Sequence, residues 1–160
     1  MTSGLGEKLM PVRVTTFRAE CLARQTHPAL MRFGKANKLP RLSQKEREAI
    51  IDLLHLCLYV DSHITLKEAE FIADTVERIG WDTQSSFSSY EVKSIAAARA
   101  TNDSPAAKAE FLSEAAERLP SNASRTLALD LCKQLLAADG SIVENETVLL
   151  DDIRTALNNK

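Results

Sequence analysis

Two stretches decide how this chain is read: 43-SQKEREAIIDLLHLCLYVDSHITLKEAEFIADTVERI-79 and 121-SNASRTLALDLCKQLLAADGSIVENETVLLDDIRTAL-157. A shift of 78 residues lays one on the other without a gap. Nine of the 37 aligned positions are identical, among them Asp52/Asp130, Asp61/Asp139, Ile64/Ile142, Glu68/Glu146 and Asp74/Asp152. Ten of the other 28 exchange one apolar residue for another. Each stretch carries apolar residues at helical spacing and breaks once, at a polar corner. Each therefore reads as a helical hairpin, and the pair as copies of one unit about an approximate two-fold axis. Core packing would preserve Leu and Ile in register. It gives no reason to preserve Asp.

The composition around the two stretches agrees. Leu and Ala number 21 each in 160 residues, while Val and Ile together number 15. Leu and Ala favour helices, and β-branched and aromatic residues favour strands. The expectation is one all-α domain of about seven helices. They fall at 11–25, 43–60, 66–79, 90–101, 105–118, 122–138 and 143–157, with residues 82–89 as a polar loop. Ser43 with Glu46 and Thr65 with Glu68 have capping-box spacing. Gly80 is a helix stop, and Pro105 behind Ser104 is a helix start. Residues 1–10 read as a flexible N-terminus and 11–160 as a single domain. Three Cys without a close pair exclude a disulfide scaffold. No apolar run nears the ~20 residues needed to span a bilayer. With no secretory signal, the expected location is the cytoplasm.

The net charge of −2 hides an asymmetry. Residues 1–40 carry seven bases and two acids, and residues 41–160 carry 13 bases and 20 acids. The basic segment is expected to dock on its own acidic body, because an amphipathic first helix needs to bury Phe17 and Leu22. No nucleic-acid partner is expected. Another protein, a second copy of the chain or a membrane surface touched from outside all remain compatible with it.

Six acids in the repeat are the candidate site: Asp52, Asp61 and Glu68 in the first copy, Asp130, Asp139 and Glu146 in the second. Asp61 and Asp139 end a helix, where an acid opposes the helix dipole by roughly 0.3–1 kcal/mol. Asp52 and Asp130 lie in apolar runs, and a buried carboxylate needs donors or a cation. Two readings follow. In one, the acids cap helices and pair with bases such as Arg47 or Arg125. In the other, oxygen ligands from both copies hold a divalent cation such as Ca²⁺, Zn²⁺ or Mn²⁺. His55, three residues after Asp52, and His63, beside Asp61, are the histidines placed to join such a site. Lys133, the counterpart of His55, would sooner form a salt bridge. An EF-hand is excluded, since its first two ligand positions are Leu135 and Ala137 in one copy and Cys57 and Tyr59 in the other.

The run Ala137-Ala138-Asp139-Gly140-Ser141-Ile142-Val143-Glu144-Asn145-Glu146 resembles the signature of the TerB-like (tellurite-resistance B) family. Val60-Asp61-Ser62-His63-Ile64-Thr65-Leu66-Lys67-Glu68 is a weaker match, with Ser62 where the other copy has Gly140. The resemblance covers 43–157. It implies a non-enzymatic bacterial module of tellurite and stress resistance, with an acidic, metal-binding cluster at Asp61, Glu68, Asp139 and Glu146. Two rival classes remain. One is a metal-dependent hydrolase using the same carboxylates with His55 or His63, which needs them to converge in an open pocket. The other is a scaffold that takes a partner helix in an apolar groove, which needs exposed apolar side chains instead. Cys57, Cys132 and Trp81 read as core residues. No phosphate loop, nucleophile elbow or HExxH motif occurs.

Overall fold

Every residue from Ala49 to Leu58 is buried, although Asp52 and His55 are among them. A helix that is covered all round needs neighbours on every side. In a computed structural model, which describes residues 39–60, 64–82, 84, 86–138, 140 and 144–159, this helix is the central one. Helix α1 (Gln44–Leu58) packs against α2 (Leu66–Ile79), α3 (Phe87–Ala100), α4 (Pro105–Glu117), α5 (Asn122–Leu136) and α6 (Glu144–Asn158). A single 3₁₀ turn, Thr101–Asp103, joins α3 to α4. The described residues contain no strand. They belong to one compact unit, Lys38–Lys160.

Six of the seven expected helices lie in the described residues. The one expected at 11–25, with its docking on the body, lies outside them. The local signals set the helix ends. Ser43 Oγ accepts from the Glu46 amide, and Glu46 Oε2 accepts from the Ser43 amide at 2.8 Å. Thr65 and Glu68 repeat this at the start of α2, at 2.7 Å. Such caps contribute about 1 kcal/mol each. Gly80 ends α2 at φ 72°, a conformation that costs an L side chain strain. Ser104 caps α4 with Pro105 behind it. Helix α3 starts earlier than expected, at Phe87 instead of residue 90, because Ser86 caps it by accepting from the Ser89 amide.

The 78-residue shift carries α1 onto α5 end to end, and the first residue of α2 onto the first of α6. Helices α1 and α5 pack against each other. Helix α2 also packs on α5, and α6 on α1. The faces follow the sequence period: Ile72, Thr75 and Ile79 of α2, and Leu149, Leu150, Ile153 and Leu157 of α6, turn inward.

What breaks the likeness between the two central helices is the segment inserted between them. Helices α3 and α4 both lie against α1. They cover the side of α1 that carries Asp52, whereas the corresponding Asp130 of α5 is exposed.

Candidate functional site

Asp52 and His55 are three residues apart and share one face of α1. Helix α3 brings Tyr90 and Ser94 to that face, and Arg118, the residue that closes α4, reaches in from the side. Asp52 is bonded on both oxygens. Ser94 Oγ donates to Oδ1 at 2.5 Å, and Arg118 Nη2 donates to Oδ2 at 2.6 Å. With the serine proton directed at Asp52, His55 Nδ1 carries a hydrogen and donates to Ser94 Oγ at 2.7 Å. Arg118 Nη1 also donates to the Tyr90 hydroxyl at 3.3 Å. Asp52, His55 and Ser94 are 6%, 1% and 3% exposed. The base that pairs with Asp52 is Arg118, 66 residues away in the chain, which the sequence did not name.

The electrostatics follow from burial. Loss of water lowers the His55 pKa to about 4, against the opposing pull of the Asp52 charge. His55 is thus neutral at pH 7. Burial pushes the Tyr90 hydroxyl well up, and the negative charge of Asp52 pushes it further. Burial alone would lower Arg118. Its hydrogen bond to Asp52 and the Asp52 charge outweigh that, and its pKa is raised.

Ser, His and Asp side chains in contact invite comparison with a nucleophilic triad, and the comparison fails on geometry. In a triad the histidine takes the serine proton. Here the serine hydroxyl donates its hydrogen bond to the carboxylate, and the histidine donates to the serine. The cluster joins α1, α3 and α4 through a buried ion pair and a hydrogen-bond chain. Such an arrangement holds helices in one relative position when every member is satisfied.

The other candidate residues lie elsewhere. Glu68 is 7% exposed, and its Oε2 accepts from both the amide and the hydroxyl of Thr65 at 2.7 Å. Glu146 is buried in the first turn of α6, near enough to Cys57 for its charge to raise that thiol. Asp130 is exposed, with its Oδ1 3.5 Å from Lys133 Nζ, the salt bridge expected of Lys133. Asp61, His63 and Asp139 lie outside the described residues. Among the described residues no three His, Cys, Asp or Glu side chains come together as a metal-holding group. Asp52 is brought to His55 rather than to Glu68, Glu146 or Asp130.

A surface feature that the sequence did not point to lies at the far end of α1. An open groove of about 400 Å³ runs between α1, the start of α4 and α6. Its apolar floor is Leu56, Val60, Val148 and Leu149. Val148 is 52% exposed. Thr101, Asn102, Asp103 and Ser104 form a polar wall. Lys108, also in the lining, is neutralised by Asp152 at 2.7 Å. Asp103 makes no ion pair among the described residues, so the free charge on this rim is negative. No helix among the described residues is long and apolar enough to cross a membrane.

Comparison of the chain with models of known protein families, with curated proteins and with solved structures finds no match.

Proposed function

We propose that the chain is a non-enzymatic, TerB-like helical module that docks a partner protein in the groove between α1, α4 and α6. The observation that carries this reading is the half-exposed Val148 in the apolar floor it forms with Leu56, Val60 and Leu149. A rim whose cation is already paired, and whose Asp103 is not, complements a basic amphipathic segment. Such a segment would lay its apolar face on the floor and direct Lys or Arg at Asp103. Asp52, His55 and Ser94, the residues a hydrolase would recruit, are bound to one another and to Arg118. The resemblance supplies the setting: a bacterial, cytoplasmic protein of tellurite and stress resistance.

The test is an array of amphipathic helical peptides of graded charge, probed with the full chain. Binding concentrated in the basic members, lost in Val148→Glu and kept in Val92→Glu, supports the reading. Val92 serves as the control because it is equally apolar, 69% exposed and on α3. Binding that survives Val148→Glu refutes it.

A second reading is a divalent cation at the corners, held by Asp61, Glu68, Asp139 and Glu146. It is favoured by Gly140, at φ 99° and next to Asp139 in the sequence, and by the burial of Glu146. Calorimetric titration of the metal-free chain with Ca²⁺, Zn²⁺ and Mn²⁺, beside Asp61→Asn/Asp139→Asn, separates the two. Absence of heat with every ion removes this second reading.

A further inference from the structure

We propose that the buried network of Asp52, His55, Ser94 and Arg118 is an acid-operated latch: a proton taken up by His55 frees α3 from α1, and with it the polar wall of the groove. Helix α3 is fastened to the body by polar contacts more than by apolar ones. Its buried side chains are Ser94 and Ala98. Phe87 and Tyr90, near its start, are half-buried and meet the Trp81 ring at 5.1 and 5.2 Å. Val92 is 69% exposed. The links to α1 are Ser94 to Asp52 and His55, at 2.5 and 2.7 Å, and the Arg99 guanidinium 4.6 Å over the Tyr59 ring. An element that buries little apolar surface opens at lower cost than the core around it. From Arg99 the chain runs directly into Thr101–Ser104, the polar wall. The coupling to the groove rests on the function proposed above, and the latch itself does not.

His55 is the member of the network whose charge can change between pH 7 and pH 5. It is 1% exposed, and Ser94 Oγ already accepts its Nδ1 hydrogen. A second proton would make it a buried cation away from water. Asp52 is the charge that draws such a proton, and both Asp52 oxygens are taken, by Ser94 and Arg118. The charged groups on the other helices packed against α1 are engaged elsewhere. Arg118 of the α4 end serves Asp52 and Tyr90, Lys108 of α4 pairs with Asp152 of α6, Lys133 of α5 with Asp130, and Glu68 of α2 with Thr65. Glu146 is buried in the first turn of α6. Tyr90 stays protonated, because burial and the Asp52 charge push its hydroxyl up. The closed protein therefore refuses the proton, and His55 accepts it once α3 lifts and water reaches the ring. With a pKa of about 4 closed and 6.5 opened, the opened population grows about 20-fold between pH 7 and pH 5.

The test is amide hydrogen exchange of the full chain at pH 7, 6 and 5, with and without urea below the unfolding range, corrected for intrinsic rates. Amides of α3 should be less protected than those of α5 and α6 at every pH and should barely respond to the urea. Their protection should fall about 20-fold from pH 7 to pH 5, and this fall should vanish in His55→Gln. Ser94→Ala, which cuts the latch directly, should lower α3 protection already at pH 7 and leave α5 and α6 as they are. The basic peptide that binds best in the array, at ten times its dissociation constant, should raise α3 protection about tenfold, because it binds the closed form alone. Three results would overturn the latch: α3 amides that exchange in step with those of α5 and α6, an equal fall in His55→Gln, or α3 protection untouched by Ser94→Ala. A peptide whose binding is lost in Val148→Glu but which leaves α3 protection unchanged would overturn the coupling to the groove. If no peptide binds, the proposed function fails, and exchange of the free chain still decides the latch.

Discussion

His55 gives the core a defined response to acid. In the folded chain its pKa is about 4, against 6.5 for the exposed imidazole. Below pH 6.5 the unfolded chain takes up a proton that the folded chain refuses. The unfolded state then binds more protons, and stability falls as pH falls. The loss begins near pH 6.5 and is complete once the pH is below about 4, where both states are protonated at this site. Each unit of pKa difference corresponds to about 1.4 kcal/mol, so the full effect is about 3 kcal/mol. Of this, about 2 kcal/mol is lost between pH 7 and pH 5. Against a total of roughly 5–15 kcal/mol for a domain, that is a large fraction. Carboxylates also titrate toward the lower end of this window, so the effect of His55 must be isolated by difference. His55→Gln keeps a neutral donor for Ser94 Oγ and cannot be protonated. Urea unfolding of both chains, followed by circular dichroism at half-unit steps from pH 7 to 4.5, gives two stability curves. The wild-type curve should fall below its own neutral value by about 2 kcal/mol more than the variant curve does. Parallel curves would refute the buried, neutral imidazole.

Other consequences of the same contacts can be measured by the same unfolding experiment at pH 7. Arg118→Ala leaves the Asp52 carboxylate buried with Ser94 alone, which costs about 3–5 kcal/mol for a fully buried pair. Arg118 is 27% exposed, so water offsets part of this and about 2–4 kcal/mol is expected. Lys133→Ala removes an exposed pair and should change stability by less than about 0.5 kcal/mol, although the two acids involved occupy matching positions in the sequence. Thr65→Ala removes the α2 cap and both hydroxyl contacts to Glu68, for a loss of about 1 kcal/mol. Val148→Glu should leave the unfolding midpoint unchanged within error, since the side chain already stands half in water.

The features that depend on neighbours in sequence were legible. Ser43 with Glu46, Thr65 with Glu68, and Ser104 with Pro105 mark helix starts because each cap is made within one turn. The start of α3 was misplaced by three residues because the chain offers Ser86, Ser88 and Ser89 close together, and only packing selects Ser86 as the cap. The contrast between Asp52 and Asp130 was not legible. Both lie in apolar runs, and their different fates depend on α3 and α4 covering one helix and not the other. The need of Asp52 for a base was readable. Its identity was not, because Arg118 reaches it only through the packing of α4 on α1. The groove is assembled from α1, α4 and α6, and no single segment announces it.

The central claim, that the chain binds a partner through the groove and not a cation through its acids, is tested most directly by amide chemical-shift mapping. The isotopically labelled full chain would be titrated separately with Ca²⁺, with Zn²⁺ and with the basic peptide that binds best in the array. The account predicts peptide-induced shifts centred on Leu56, Asp103, Val148 and Leu149, and none from the ions at Glu68 or Glu146. Ion-induced shifts at Glu68 and Glu146, with the groove silent to every peptide, would contradict it.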